Sequence, residues 1–236
     1  MNILLIPNLD KKNAFECTCD AIQRLSDCDS RCYLFCDVAD TFKKWRVFSY
    51  NQQEDTQIDL IISIGGDGTL IHSARHAVAL DCPVLGINAG RLGFLTEMEY
   101  TALDQLKEVV RGNYTIQPRM MLHAEVKKES GNISFSALND VVISRGEHES
   151  ISITPICPHS LFSRSILYAP EEVFTVTGKY INNSDVLYLS ADGEERIRIE
   201  PTDSIVISKD KQYVKFVNFG SKSYYEKLNK KILGRG

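Results

Sequence analysis

Apolar positions at the start of the chain fall into short blocks whose spacing switches between the strand and the helix period. Asn2 to Ile6 reads as a buried strand, and Asp59-Leu60-Ile61-Ile62-Ser63-Ile64 is an apolar run ending in glycines, the profile of a central parallel strand. Between them Phe15, Ile22 and Leu25 keep helical spacing over Ala14 to Leu25, and another helix is expected from Leu70. Pro83-Val84-Leu85-Gly86-Ile87 predicts the next strand, and Leu103 to Val110 the next helix, closed by Arg111-Gly112. Strand and helix thus alternate, as in a parallel sheet with crossover helices.

The pattern changes after Pro118. Short alternating segments dominate from there: Leu122 to Lys127, Val141 to Ser144, Val173 to Thr177, Val186 to Ser190 and Ile205 to Ser208. Asp192-Gly193, lying between Val186 to Ser190 and Arg196 to Glu200, signals a hairpin, because Asp-Gly readily takes the positive φ angles of a tight turn. The expected fold is an α/β domain over 1–117 and an all-β, sandwich-like domain over 118–219. A helical tail over 220–236, centred on Tyr224 to Leu233, is expected to pack on the α/β domain.

Composition narrows the classes of function. With 236 residues and 43% apolar content the chain can bury a full core. Its 27 basic and 31 acidic residues leave a net charge of -4 and no basic block to follow a phosphate backbone, so nucleic acid is not an expected partner. No stretch approaches the roughly 18 apolar residues of a membrane span, and Met1 to Pro7 lacks the charged start of a signal peptide. A cytoplasmic protein is expected. The seven cysteines include no pair with a two-residue gap, so reduced thiols are expected. Cys28, Cys32 and Cys36 recur every four residues, yet no nearby histidine completes a ligand set and Arg31 to Phe35 reads as a strand.

The chemistry concentrates where the apolar run ends, at Gly65-Gly66-Asp67-Gly68-Thr69. A strand that turns through glycines into a helix offers phosphate its open backbone amides and a helix N-terminus, and Thr69 adds a hydroxyl. Asp67 is unfavourable beside phosphate alone. It fits a group that accepts a proton from a substrate hydroxyl or holds a cation, or else a residue that merely caps the following helix. A second glycine-rich turn, Asn88-Ala89-Gly90-Arg91-Leu92-Gly93-Phe94, follows the next strand, so two adjacent strand ends would open on one crevice. Its plainer reading is an ordinary loop with Phe94 and Leu95 in the core.

These residues resemble the NAD kinase family, and the first turn alone resembles, more distantly, diacylglycerol kinases and phosphofructokinases. The likeness extends through Arg119-Met120-Met121-Leu122, Leu138-Asn139-Asp140-Val141-Val142-Ile143, Thr154 to Leu161 and the tail from Tyr225 to Leu233. The resemblance implies transfer of the terminal phosphate of ATP, or of polyphosphate, to the adenosine ribose 2′-hydroxyl of NAD. The product is NADP, and the reaction uses a divalent metal, expected to be Mg2+. It implies Asp67 as general base, with Gly65, Gly66 and Thr69 binding phosphate and Gly68, in the same turn, contacting NAD. His72 would lie near NAD, Asn139 and Asp140 would hold NAD sugar hydroxyls, and Asn88, Gly90 and Phe94 would form the second turn. A homo-oligomer, dimer or tetramer, is also implied. His159 reads as structural, and Asp192 reads first as hairpin chemistry.

The resemblance breaks between Arg145 and Ile153, where the family carries several dozen residues and this chain almost none. That stretch includes an aspartate and a Thr-Pro-Thr-Gly-Ser-Thr-Ala-Tyr segment contacting NAD. Two other functions therefore stay in play: a nucleotide-binding or regulatory derivative that has lost catalysis, and a kinase of another hydroxyl substrate such as a lipid.

Overall fold

The computed structural model describes residues 1–53, 56–90, 93, 95–145, 169, 171–177, 186–193 and 196–220. Its described residues form two compact units: Met1–Arg119 with the chain from Val214, and Met120–Tyr213.

The first unit opens with β1 (Asn2–Pro7), α1 (Ala14–Ser26), β2 (Arg31–Phe35), the single turn α2 (Cys36–Ala39) and β3 (Val47–Tyr50). It continues through β4 (Leu60–Gly65), α3 (Asp67–Ala79), β5 (Val84–Asn88), β6 (Met98–Glu99) and α4 (Leu106–Val110). The strands are parallel in the order β3-β2-β1-β4-β5. Successive strands therefore run to one side of β1 and then jump to the other, which makes the gap between β1 and β4 the switch point of the sheet. Open α/β sheets bind ligands at that point, outside the carboxyl ends of the strands.

Burial explains the pattern. Ile3, Leu5, Leu60, Ile62, Ile64, Leu85 and Ile87 alternate along their strands and cluster with Ala14, Cys17, Ala21, Ile22 and Leu25 of α1. Leu4, Ile61 and Val84 on the intervening positions are equally buried, so the central strands are covered on both faces. Each such Leu or Ile contributes about 1.5–3 kcal/mol relative to exposure. Phe15, whose spacing suggests the core, is instead 39% exposed and stacks at the rim on Phe42 at 5.2 Å between ring centroids. The helix expected from Leu70 begins at Asp67, and the one expected over Leu103 to Val110 starts as a 3-10 turn, Tyr100–Gln105, before α4.

The second unit is antiparallel. In it β9 (Val141–Arg145), β11 (Leu187–Ala191) and β12 (Ile197–Ile199) form one sheet. The end of β7 (Thr115–Lys127) pairs with β8 (Ile133–Ala137), and β10 (Phe174–Thr177) with the start of β13 (Ser204–Asn218). Pro118 lies inside β7 rather than at a break, on a stretch exposed enough to spare its missing N–H. Asp192 and Gly193 take φ values of 53° and 75° between the paired strands β11 and β12, as the hairpin reading requires. The core gathers Ala124, Val126, Ala137, Val141, Leu189, Ala191, Ile199, Ile205 and Ile207. The tail over Tyr224 to Leu233 and His159 lie outside the described residues. No helix among the described residues is long and apolar enough to cross a membrane.

Candidate functional site

Two glycine turns meet at the carboxyl edge of the first unit. Gly65 and Asn88 are register partners at the ends of β4 and β5, and the Ala89 N–H donates to the Gly65 carbonyl at 3.0 Å. The first turn closes on itself: the Gly66 N–H donates to Thr69 Oγ1 at 3.4 Å, and the Leu70 N–H to the Gly66 carbonyl at 3.1 Å. A side chain at Gly65 would overlap that of Thr69, whereas added Cβ atoms at Gly66 and Gly68 meet nothing within 4 Å. Gly65 is thus needed for packing, while Gly66 and Gly68 keep the backbone open to a ligand. Gly66 is extended, with φ −144°, so its value lies in access rather than in an unusual dihedral angle.

Gly66 takes the N-cap position of α3, and Asp67 is the first residue of the helix, its carboxylate reaching across to the segment after β5. Oδ1 accepts from the Leu95 N–H at 3.0 Å and from the Thr96 N–H at 3.4 Å, in the second turn. Gly93 is packed against it: a Cβ there would overlap the Asp67 carboxylate and come within 2.6 Å of Thr96 Oγ1. The motif contains Gly93 and Leu95, but only the tertiary structure shows that their task is to hold Asp67. Asn88 is buried, and its Oδ1 accepts the Gly90 N–H at 2.9 Å, a local turn bond that orders the start of the second turn. Phe94 lies outside the described residues.

A cavity of about 1050 Å³ opens beside Gly68 and Thr69, at the carboxyl ends of β1, β2 and β3. Sequence reading missed its aromatic wall. Phe35 packs on His76 at 5.0 Å and on Tyr50 at 5.7 Å between ring centroids, and His76 on His72 at 5.4 Å. Asn8, Asn51, Gln52 and Gln53 add amide groups to the lining. Such a wall suits a flat, weakly polar ring with amide groups at its edge. His72 faces this cavity, one helical turn beyond the first glycine turn.

Asn139 and Asp140 belong to the second unit, in an exposed turn between β8 and β9. The Asp140 carboxyl is raised above its ordinary range, first by desolvation in its partly enclosed position and then by the negative charge of Asp192. Asp192 itself accepts hydrogen bonds from the backbone of this turn.

The described residues contain no group of three or more His, Cys, Asp or Glu side chains placed to hold a metal ion. The described cysteines are free thiols. Burial pushes Cys32 up to about 12, as expected of a cysteine serving as a small hydrophobe, while Cys36 is exposed and donates through Sγ to the Tyr50 carbonyl at 3.3 Å.

Family comparison agrees with this layout. Residues 3–114 match the ATP-NAD kinase N-terminal domain and residues 130–219 the ATP-NAD kinase C-terminal domain. The chain is 32% identical to an NAD kinase of Natranaerobius thermophilus over 279 positions, covering 98% of this chain and 97% of that protein. An NAD kinase of Caldanaerobacter subterraneus subsp. tengcongensis is 29% identical over 280 positions, with 98% of both covered. Both alignments exceed the 236 residues of this chain, so these relatives carry stretches it lacks. In fold, it matches yeast NADH kinase complexed with NADH at a TM-score of 0.80 and 19% identity, covering 100% of this chain and 88% of the other. It also matches an NAD kinase from Archaeoglobus fulgidus in complex with ATP at a TM-score of 0.59 and 17% identity, with 100% of both covered.

Proposed function

This chain belongs to the ATP-NAD kinase family and is a kinase, and from that premise we propose that it phosphorylates the adenosine ribose 2′-hydroxyl of NAD with ATP, making NADP. Asp67 is the general base. The proton of the 2′-hydroxyl passes to the Asp67 carboxylate as the oxygen bonds to the terminal phosphorus and ADP departs. The observation that carries this role is the grip of the Leu95 and Thr96 amides on Asp67 Oδ1, which fixes the carboxylate between the two glycine turns. Gly66, Gly68 and the N-terminus of α3 present amides and partial positive charge to the phosphates, and Thr69 closes the turn behind them. Such fixed groups are what phosphoryl transfer requires, since its catalysis is mostly positioning and charge neutralisation. A divalent cation bound with the nucleotide, for which Asp67 is the candidate carboxylate ligand, would neutralise phosphate charge. The cavity walled by Phe35, Tyr50 and His76 takes a flat ring of NAD beside Gly68 and His72, and Asn139 and Asp140 hold NAD sugar hydroxyls.

The test is NADP formation from NAD, ATP and magnesium, read by a coupled dehydrogenase assay. Asp67→Asn is expected to lower turnover by about 10²–10⁴ while leaving the thermal midpoint in place. Wild-type turnover in that variant removes Asp67 from the mechanism. A competing reading, a nucleotide-binding derivative without turnover, draws on the stretches that relatives carry and this chain lacks. ATP binding in calorimetry with no product from NAD would favour it.

A further inference from the structure

The Asp192 side chain reaches away from its own hairpin to the turn that carries Asn139 and Asp140. One carboxylate oxygen accepts the Leu138 N–H at 2.8 Å, and the other accepts the Asn139 N–H at 2.7 Å and the Asp140 N–H at 3.2 Å. The Asp192 N–H returns a bond to the Asp140 carbonyl at 2.9 Å. Three consecutive amides therefore converge on one carboxylate across 52 to 54 residues of sequence. Bonds to an ionised acceptor are shorter and stronger than neutral ones, and a carboxylate shared by three donors leaves the turn little freedom.

We propose that Asp192 is the positioning residue of the sugar-recognition turn: its carboxylate gathers the amides of Leu138, Asn139 and Asp140 and so aims the Asn139 and Asp140 side chains at the hydroxyls of NAD. The proposal rests on the reading of Asn139 and Asp140 as the sugar-binding pair. The charge arrangement supports it. The three bonds to Asp192 are made despite the like charge of Asp140, whose carboxyl is raised by desolvation and then by Asp192. Asp192 also sits at φ 53°, a left-handed conformation that Asp and Asn adopt more readily than most residues. The aspartate thus meets the hairpin's backbone demand and the turn's hydrogen-bond demand together.

Asp192→Asn separates the two demands, because asparagine tolerates the left-handed backbone but offers one neutral acceptor oxygen. The expected result is a rise of about tenfold or more in the KM for NAD, and in its Kd by calorimetry, with the KM for ATP and the thermal midpoint little changed. Gly193→Ala strains the hairpin at φ 75° while keeping the carboxylate, and is expected to lower the thermal midpoint without raising the Kd for NAD. The proposal is overturned if Asp192→Asn leaves NAD affinity intact while Asn139→Ala weakens it. It is also overturned if Asp192→Asn degrades both KM values, kcat and thermal midpoint in parallel, or if Gly193→Ala weakens NAD equally. Unchanged NAD affinity in both Asn139→Ala and Asp140→Asn would instead remove the sugar-binding reading beneath it.

Discussion

At Gly93 one hydrogen atom in place of a methyl group decides whether Asp67 can lie where it does. Gly93→Ala would drive a Cβ into the Asp67 carboxylate and against Thr96 Oγ1. Overpacking of this kind costs about 1–3 kcal/mol, and a carboxylate displaced by about 1 Å costs about a hundredfold in rate. NADP formation should therefore fall far more than the thermal midpoint, which activity and melting of the same preparation will show. At Asp140 the raised carboxyl makes the opposite trade. Its folded pKa stands above the unfolded value, so the stability it contributes is present below the ordinary carboxylate range and lost as pH rises through the folded pKa. Asp140→Asn should raise the thermal midpoint at pH 7, with the gain shrinking below about pH 4, while weakening NAD. Equal or lower midpoints at pH 7 would contradict this. Asp67 is legible in the sequence because its glycines surround it. The amides that hold it are not, since Leu95 and Thr96 lie 28 and 29 residues on and contribute only backbone.

Among the elements, α3 begins three residues before the sequence suggests. Gly66 and Gly68 lower helix propensity there, but the Thr69 hydroxyl and the Leu70-to-Gly66 bond close the first turn regardless. Likewise β13 runs Ser204–Asn218 rather than Ile205 to Ser208, because exposed Lys211, Gln212 and Tyr213 interrupt the apolar alternation without ending the extended backbone. In the second unit the link from β7 to the bend before β13 depends on Lys128, whose ammonium meets Asp203 at 2.8 Å and the Arg198 carbonyl at 2.8 Å. Asp203 is 4% exposed. Burial alone would raise its carboxyl, but the Glu200 amide and Lys128 outweigh burial and hold it below the usual range. Its stabilisation is thus present at neutral pH and lost as pH falls through that lowered value. Lys128→Ala should cost about 1.5–3 kcal/mol by urea unfolding at pH 7, since it leaves the buried Asp203 carboxylate with its Glu200 amide but without its cation, and less in acid.

For the chain as a whole, NAD itself discriminates a working kinase from a scaffold that has lost its substrate. At a hundred times its Kd, a ligand that binds only the folded state adds about 2.7 kcal/mol, which in a chain of this size raises the thermal midpoint by several degrees. NAD is expected to do so for the wild type, and no shift at saturating ATP and millimolar NAD would support the scaffold reading. The sequence by itself determined the class of fold and pointed to the candidate site. Periodicity sets strands against helices, a glycine-bounded aspartate after a buried strand marks the candidate turn, and Asp-Gly marks a hairpin; each signal is local and is written in neighbouring residues. Tertiary structure alone decided which distant groups hold the candidate site residues. The amides of Leu95 and Thr96 on Asp67, the carboxylate of Asp192 on the Asn139-Asp140 turn, and the aromatic wall assembled from Phe35, Tyr50 and His76 join residues far apart in the chain. Backbone amides are the same at every non-proline position, so no pattern of side chains announces which of them a fold will aim at a carboxylate.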